Sequence, residues 1–147
     1  MSPDAQYWAN VVFLALTVWR EARGESYTCK LAVAFSILER VHHPKWWGND
    51  VMSVCFKRFQ YSSMTNAGDP NLVAWPQAAD PNWNDSILTA IAAISGTPTN
   101  PAPAADSYFD ISISPPSWAK PVDFVIQIGR LRFYNLDRDF EQERLTT

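Results

Sequence analysis

From Trp8 to Ala22 the apolar residues Trp8, Val11, Val12, Ala15, Trp19 and Ala22 recur at helical spacing, which predicts a first helix with a broad apolar face. Ser2 and Pro3 mark its start, a capping hydroxyl followed by a proline whose missing N–H costs nothing there, and Gly24 closes it. Ser26 can cap a second helix with the stripe Leu31, Ala34, Phe35, Leu38 and Val41, ending before Pro44. The pattern then fades as far as Asn82, with short helical turns expected from Val51 to Phe56 and irregular chain through the FQYSS run at 59–63. Loops of that length are usually functional or contain short elements. A third long helix, capped by Asn84 or Asp85 and packed by Ile87, Leu88, Ile91, Ala92 and Ile94, stops at Gly96. Beyond the stiff connector of Pro98, Pro101 and Pro103, Ser107 to Ile113 reads as extended, and Phe124 to Tyr134 as a hairpin around Gly129. The tail from Asn135 to Thr147 is polar and reads as frayed or a loose last turn. The fold class expected is mainly α (α+β), helical with a small β-hairpin near the C-terminus.

The chain has 147 residues, one domain's length, so residues 1–147 are read as a single domain without internal repeats. A net charge of −3 argues against a dedicated nucleic-acid binder, although Arg20 with Arg23 and Lys57 with Arg58 form local basic pairs suited to an anionic polymer. Cys29 and Cys55 have neither CxxC spacing nor neighbouring His and read as small buried apolar residues. His42 and His43 point apart on a helix with no third His, so no metal and no cofactor is expected. The N-terminal MSPDAQYW has no basic n-region, and the apolar run Val11 to Trp19 is too short to span a membrane, which needs about 20 residues. The expectation is therefore a monomer without stable membrane anchoring, made and kept in a cytoplasm. Seven Trp are more than a core of this size needs. Among Trp46, Trp47, Trp75, Trp83 and Trp118, one or two are expected to stack on a flat ligand such as a sugar ring, and the rest to be core or groove wall.

Leu14, Val18 and Glu21 share one helix face, so Glu21 follows its apolar neighbours inward, just before Gly24 opens the chain. A carboxyl held against apolar side chains has its pKa raised and can donate a proton near neutral pH. The bland alternative is a salt bridge to Arg20 or Arg40. Glu25 is the nearest second carboxylate, but the intervening Gly24 breaks helical geometry, and pairing with Arg23 or capping the next helix is the competing role. Asp69, Asp80 and Asp110 suit water positioning or, more plainly, turns and caps. Gln60, Tyr61 and Ser62 form a polar and aromatic run that is either a binding segment or a packed loop.

With these residues in place, the chain resembles the cell-wall hydrolase family of the spore-cortex-lytic enzyme type, which includes phage and bacterial peptidoglycan hydrolases. The stretches that carry the resemblance are VWREARGES at 18–26, AVAFSILERV at 32–41, SVCFKRFQYS at 53–62, DSILTAIAAI at 85–94, SYF at 107–109, PPSWA at 115–119 and IGRLRFY at 128–134. The resemblance implies a lysozyme-like, mainly helical domain with a sugar-binding groove, related to lytic transglycosylases. It implies Glu21 as the catalytic glutamate, Gln60 as a hydrogen-bonding substrate ligand and Tyr108 as a hydroxyl that positions the acid or the sugar. Tyr61, Ser62, Glu25 and Trp118 join them as candidate substrate-binding residues. Phe109 and Asp110 depart from the family, which more often carries a Tyr or His around that aromatic.

The implied substrate is bacterial peptidoglycan, cut at the β-1,4 bond between N-acetylmuramic acid and N-acetylglucosamine by a muramidase or a lytic transglycosylase. A phage endolysin, held in the host cytoplasm before lysis and acting on the wall after release, is the implied setting. No separate wall-anchoring module is expected, and the lack of a zinc set speaks against a zinc-dependent wall amidase. The competing reading is a non-catalytic lysozyme-like module that binds peptidoglycan without cutting it.

Overall fold

The computed structural model describes residues 1–43, 47–57 and 60–137. Helix α1 spans Pro3–Ala22, its Ser2 cap accepting a hydrogen bond from the Ala5 amide at 3.2 Å. Helix α2 spans Tyr27–His42, and Ser26 accepts from the Cys29 amide in the same way. Both caps were legible because a side-chain oxygen ahead of an apolar repeat satisfies an amide that the helix leaves free. The short helix α3, Val51–Cys55, is closed by a reciprocal capping box between Asp50 and Ser53.

Three expectations change. The FQYSS run is not wholly irregular, since Ser62–Thr65 forms a helical turn, α4, followed by a 3-10 turn at Pro70–Val73. Helix α5 spans Pro81–Ser95 and is capped by Asp80 rather than Asn84 or Asp85, with Pro81 in the first-turn place that Pro3 takes in α1. The extended stretch stops at Asp110 as strand β1, Ser107–Asp110, because the Asp110 carboxylate accepts the Ser112 amide at 2.8 Å and turns the chain. Strands β2, Phe124–Ile128, and β3, Leu131–Tyr134, make the expected hairpin around Gly129. They join β1 in an antiparallel sheet of order β1-β3-β2, so the hairpin is extended by a third strand. The domain is mainly helical with a small sheet near the C-terminus.

Helix α1 packs against α5, α2 and α3, with Val11, Leu14, Ala15 and Val18 fully buried between them. Each of the Val and Leu side chains contributes roughly 1.5–3 kcal/mol by leaving water. The facing side of α5 is Ser86, Thr89, Ala90 and Ala93, small residues that let the helices approach, with both hydroxyls bonded to backbone carbonyls one turn back. Leu88 of the expected packing face is instead exposed, as are Trp8 and Val12 on α1. On α2 the fully buried side is Val33 and Ile37, while Phe35, Leu38 and Val41 are half-buried. Cys29 and Cys55 are buried free thiols, and burial pushes each up to about 12. Among the described residues no helix is long and apolar enough to cross a membrane.

Candidate active site

Glu21 lies in the last turn of α1, where Leu14 and Val18 of the same face are fully buried and the residue itself is half-buried. Burial raises its carboxyl pKa above the ordinary value, and the negative charge of Asp69 pushes the same way. Opposing this, the Tyr108 hydroxyl donates to Glu21 Oε1 at 2.6 Å and favours the charged form. The Ser63 hydroxyl, fully buried and without a hydrogen bond of good geometry, sits near enough to the carboxyl to act in the same direction. Burial and the neighbouring Glu21 lift the Tyr108 phenol well above its usual range, so it remains a donor.

The salt-bridge alternative for Glu21 is not what the two arginines do. Arg20 is 6% exposed and donates to the carbonyls of Ala74 and Ser63 at 3.2 and 3.3 Å and to Met64 Sδ at 3.4 Å. It ties α1 to α4 and is not a surface contact for a polyanion, which corrects its sequence reading. Arg23 bonds Asn71 at 2.8 Å and covers the Trp19 ring; Arg58 lies outside the described residues. Arg40, buried on the core side of α2, donates to the Asp106 carbonyl, to Gln60 Oε1 at 2.9 Å and to Ser107 Oγ at 3.3 Å. Its charge favours ionised Glu21 only as the weakest of the resolved influences.

A cavity of about 490 Å³ adjoins Tyr108 and is lined by Arg40, Trp47, Gln60, Ser107, Trp118 and Leu136. The structure thus brings Gln60, Tyr108 and Trp118 to one pocket. Gln60 is exposed and held through its side-chain oxygen, which leaves its amide N–H groups for a ligand. Trp118 packs edge-on against Phe109 and Tyr134 with centroids at 6.1 and 5.6 Å. A larger cavity, about 590 Å³, lies between α1, α2 and α5 and contains neither Glu21 nor Tyr108.

The other candidates fall elsewhere. Tyr61 is 3% exposed, part of the core beneath Arg40, and presents no surface to a substrate. Ser62 is exposed but donates to Asp69 Oδ2 at 2.7 Å; its neighbour Ser63 is the one turned to Glu21. Glu25 is neither paired with Arg23 nor a helix cap: its carboxylate lies over the hairpin turn, where a Cβ on Gly129 would come within 2.7 Å of Oε2. Asp69, Asp80 and Asp110 accept backbone amides as turn and cap residues. Trp46 lies outside the described residues, Trp47 is buried, and Trp75 is 69% exposed. Sequence reasoning missed Ser63 and Arg40. The signal for Arg40 was a charge at the spacing of Val33 and Ile37, and for Ser63 a serine doublet of which a helical turn can bury only one. Among the described residues no group of three His, Cys, Asp or Glu side chains is placed to hold a metal ion.

The fold and this pocket define a helical α+β domain with a raised-pKa carboxyl beside an aromatic-walled cavity. By the match of residues 24–134 to the family model described as Cell Wall Hydrolase, the chain belongs to the cell wall hydrolase family. Gln60, Tyr108 and Trp118 fall inside the matched stretch, and Glu21 lies three residues before it. The chain is similar to the catalytic domain of the germination-specific lytic transglycosylase SleB from Bacillus anthracis, with 25% identity, a TM-score of 0.67, and coverage of 85% of this chain and 93% of that one. It is also similar to the catalytic domain of the Bacillus cereus SleB protein, at 25% identity and TM-score 0.66, covering 86% of this chain and 90% of that one. No curated protein sequence matches it.

Proposed function

We propose that this cell wall hydrolase cleaves the glycan strand of peptidoglycan at the β-1,4 bond between N-acetylmuramic acid and N-acetylglucosamine, as a lytic transglycosylase with Glu21 as its single acid and base. The observation that carries the reading is the 2.6 Å hydrogen bond from Tyr108 to Oε1 of a carboxyl whose proton affinity burial has raised. With Oε1 occupied by a donor, the proton of neutral Glu21 is directed from Oε2. It passes to the glycosidic oxygen as the C1–O bond breaks, leaving an oxocarbenium-like centre. The resulting carboxylate takes the proton of the muramic 6-hydroxyl as that oxygen bonds to C1, giving a 1,6-anhydro end without consuming water. Gln60 and Trp118 bind sugar in the adjoining cavity.

The choice of an internal hydroxyl over a second carboxylate rests on where the other acids are held. Asp69 has both oxygens taken, by the Asn71 amide and the Ser62 hydroxyl, Asp110 turns its own loop, and Glu25 faces the hairpin. The similar Bacillus anthracis catalytic domain is that of a lytic transglycosylase, which supports the same choice. Host-cell lysis by a phage, from a cytoplasmic pool released to the wall, completes the reading on family resemblance alone. Digests of purified peptidoglycan by wild type and Glu21→Gln, with fragments identified by mass spectrometry, test it. Anhydro-muramic ends from wild type only are expected; reducing ends would mean a lysozyme, and equal digestion by both proteins would remove Glu21 from the chemistry.

A further inference from the structure

Trp75 is 69% exposed, above the 56% of Trp8, while Trp19 and Trp47 are 5% exposed. An indole left in water forgoes the burial that normally fixes it, and its orientation would ordinarily be loose. Here it is held. The Arg20 guanidinium covers one face at 4.7 Å from the ring centroid, and Arg20 is itself fixed by the carbonyl of Ala74, the residue before Trp75, and by Ser63 and Met64 of α4. Pro76 restricts the Trp75 backbone to extended conformations. A rigid aromatic plane therefore has one face against a cation and the other open.

The plane is tied to the proposed active site through Arg20 and Ser63. Arg20 precedes Glu21 in α1, and Ser63, whose carbonyl Arg20 holds, turns its side chain toward the Glu21 carboxyl. The occupant that fits is the one the glycan-cleavage reading, on which this inference rests, already supplies: a polymer of pyranose rings whose C–H faces are flat and apolar. We propose that the open face of Trp75 is a stacking platform for a pyranose ring of the glycan strand, on the Arg20 side of Glu21 and separate from the Trp118 cavity. Long strands then engage both aromatic sites, and fragments of two sugars engage one.

The test measures binding of peptide-free glycan strands and of the disaccharide by calorimetry, in the Glu21→Gln background so that nothing is cut. Trp75→Ala is expected to weaken strand binding about tenfold, the worth of one aromatic contact, and to leave disaccharide binding unchanged. Trp75→Phe should keep most of the affinity. Trp8→Ala, about 20 Å up α1 from Glu21 at 1.5 Å per residue, should change nothing. Strand affinity unchanged in Trp75→Ala, or lost equally in Trp8→Ala, would overturn the platform. If wild type cuts no peptidoglycan while Trp75→Ala still loses strand affinity, the cleavage reading falls and the platform stands.

Discussion

The Tyr108 hydroxyl on edge strand β1 and the Glu21 carboxyl at the end of α1 meet at 2.6 Å. Because Tyr108 favours the charged carboxylate, Tyr108→Phe should raise the Glu21 pKa further. An enzyme that needs Glu21 protonated then loses kcat/KM at a higher pH than wild type, so the alkaline limb of the profile moves up. Loss of the positioning bond should also cut the rate at the optimum by about 10–100-fold. A pH–rate series on soluble glycan checks both; an alkaline limb that stays in place would separate Tyr108 from the titrating acid.

Glu21 also makes a statement about stability. Its folded-state pKa lies above the ordinary value of 4.5, so its contribution is fully present below that pH and is lost as pH rises through the folded-state value. Glu21→Gln removes the cost of a buried charge. The variant should melt above wild type at pH 8, with the difference closing below about pH 4.5. Paired thermal melts across pH 4–8 read this directly, and a variant that is less stable at pH 8 would contradict it.

Asp80 serves two elements at once. Its Oδ1 accepts the Asn82 amide at 2.9 Å to cap α5, and its Oδ2 accepts Trp19 Nε1 at 3.0 Å to tie α5 to α1. Asp80→Ala should cost about 2 kcal/mol, the upper range for a cap, because the indole N–H loses its partner as well. Asp80→Asn, which keeps an acceptor, should cost less than half of that in urea denaturation.

At the hairpin turn Gly129 has φ +57°, and a Cβ there would meet Glu25 Oε2 at 2.7 Å. The clash is with the end of a flexible side chain, so the backbone conformation sets most of the cost. Gly129→Ala should lose about 1–2 kcal/mol and Gly129→Asn less. Removing Glu25 in a double variant should recover only a minor part of the loss, which a thermodynamic cycle measures.

The sequence carried the elements whose signals are local. Ser2 with Pro3, Ser26, Gly96 and Gly129 each act on their own few residues, and each stands where the pattern placed it. Asp80 with Pro81 carries the same kind of signal, but the apolar repeat begins only at Ile87 and points instead to Asn84 or Asp85. The rotation of α2 was legible in part: Leu31 and Ala34 of the expected stripe are buried in the core with Val33, Ile37 and Arg40, while Phe35, Leu38 and Val41 wall the larger cavity. Glu21 could be read from its own helix face. Ser63, Arg20 and the burial of Tyr61 could not, since each depends on α4 docking against α1 through a bond between residues 43 positions apart.

The Tyr108–Glu21 bond joins positions 87 apart, and among the described residues β1 is paired only by β3, up to Tyr134. Glu21 therefore has no Tyr108 hydroxyl held beside it until residues as far as Tyr134 have joined the sheet. A chain cut short before Leu131 would keep Glu21 on α1 while losing the strand that holds the Tyr108 hydroxyl beside it.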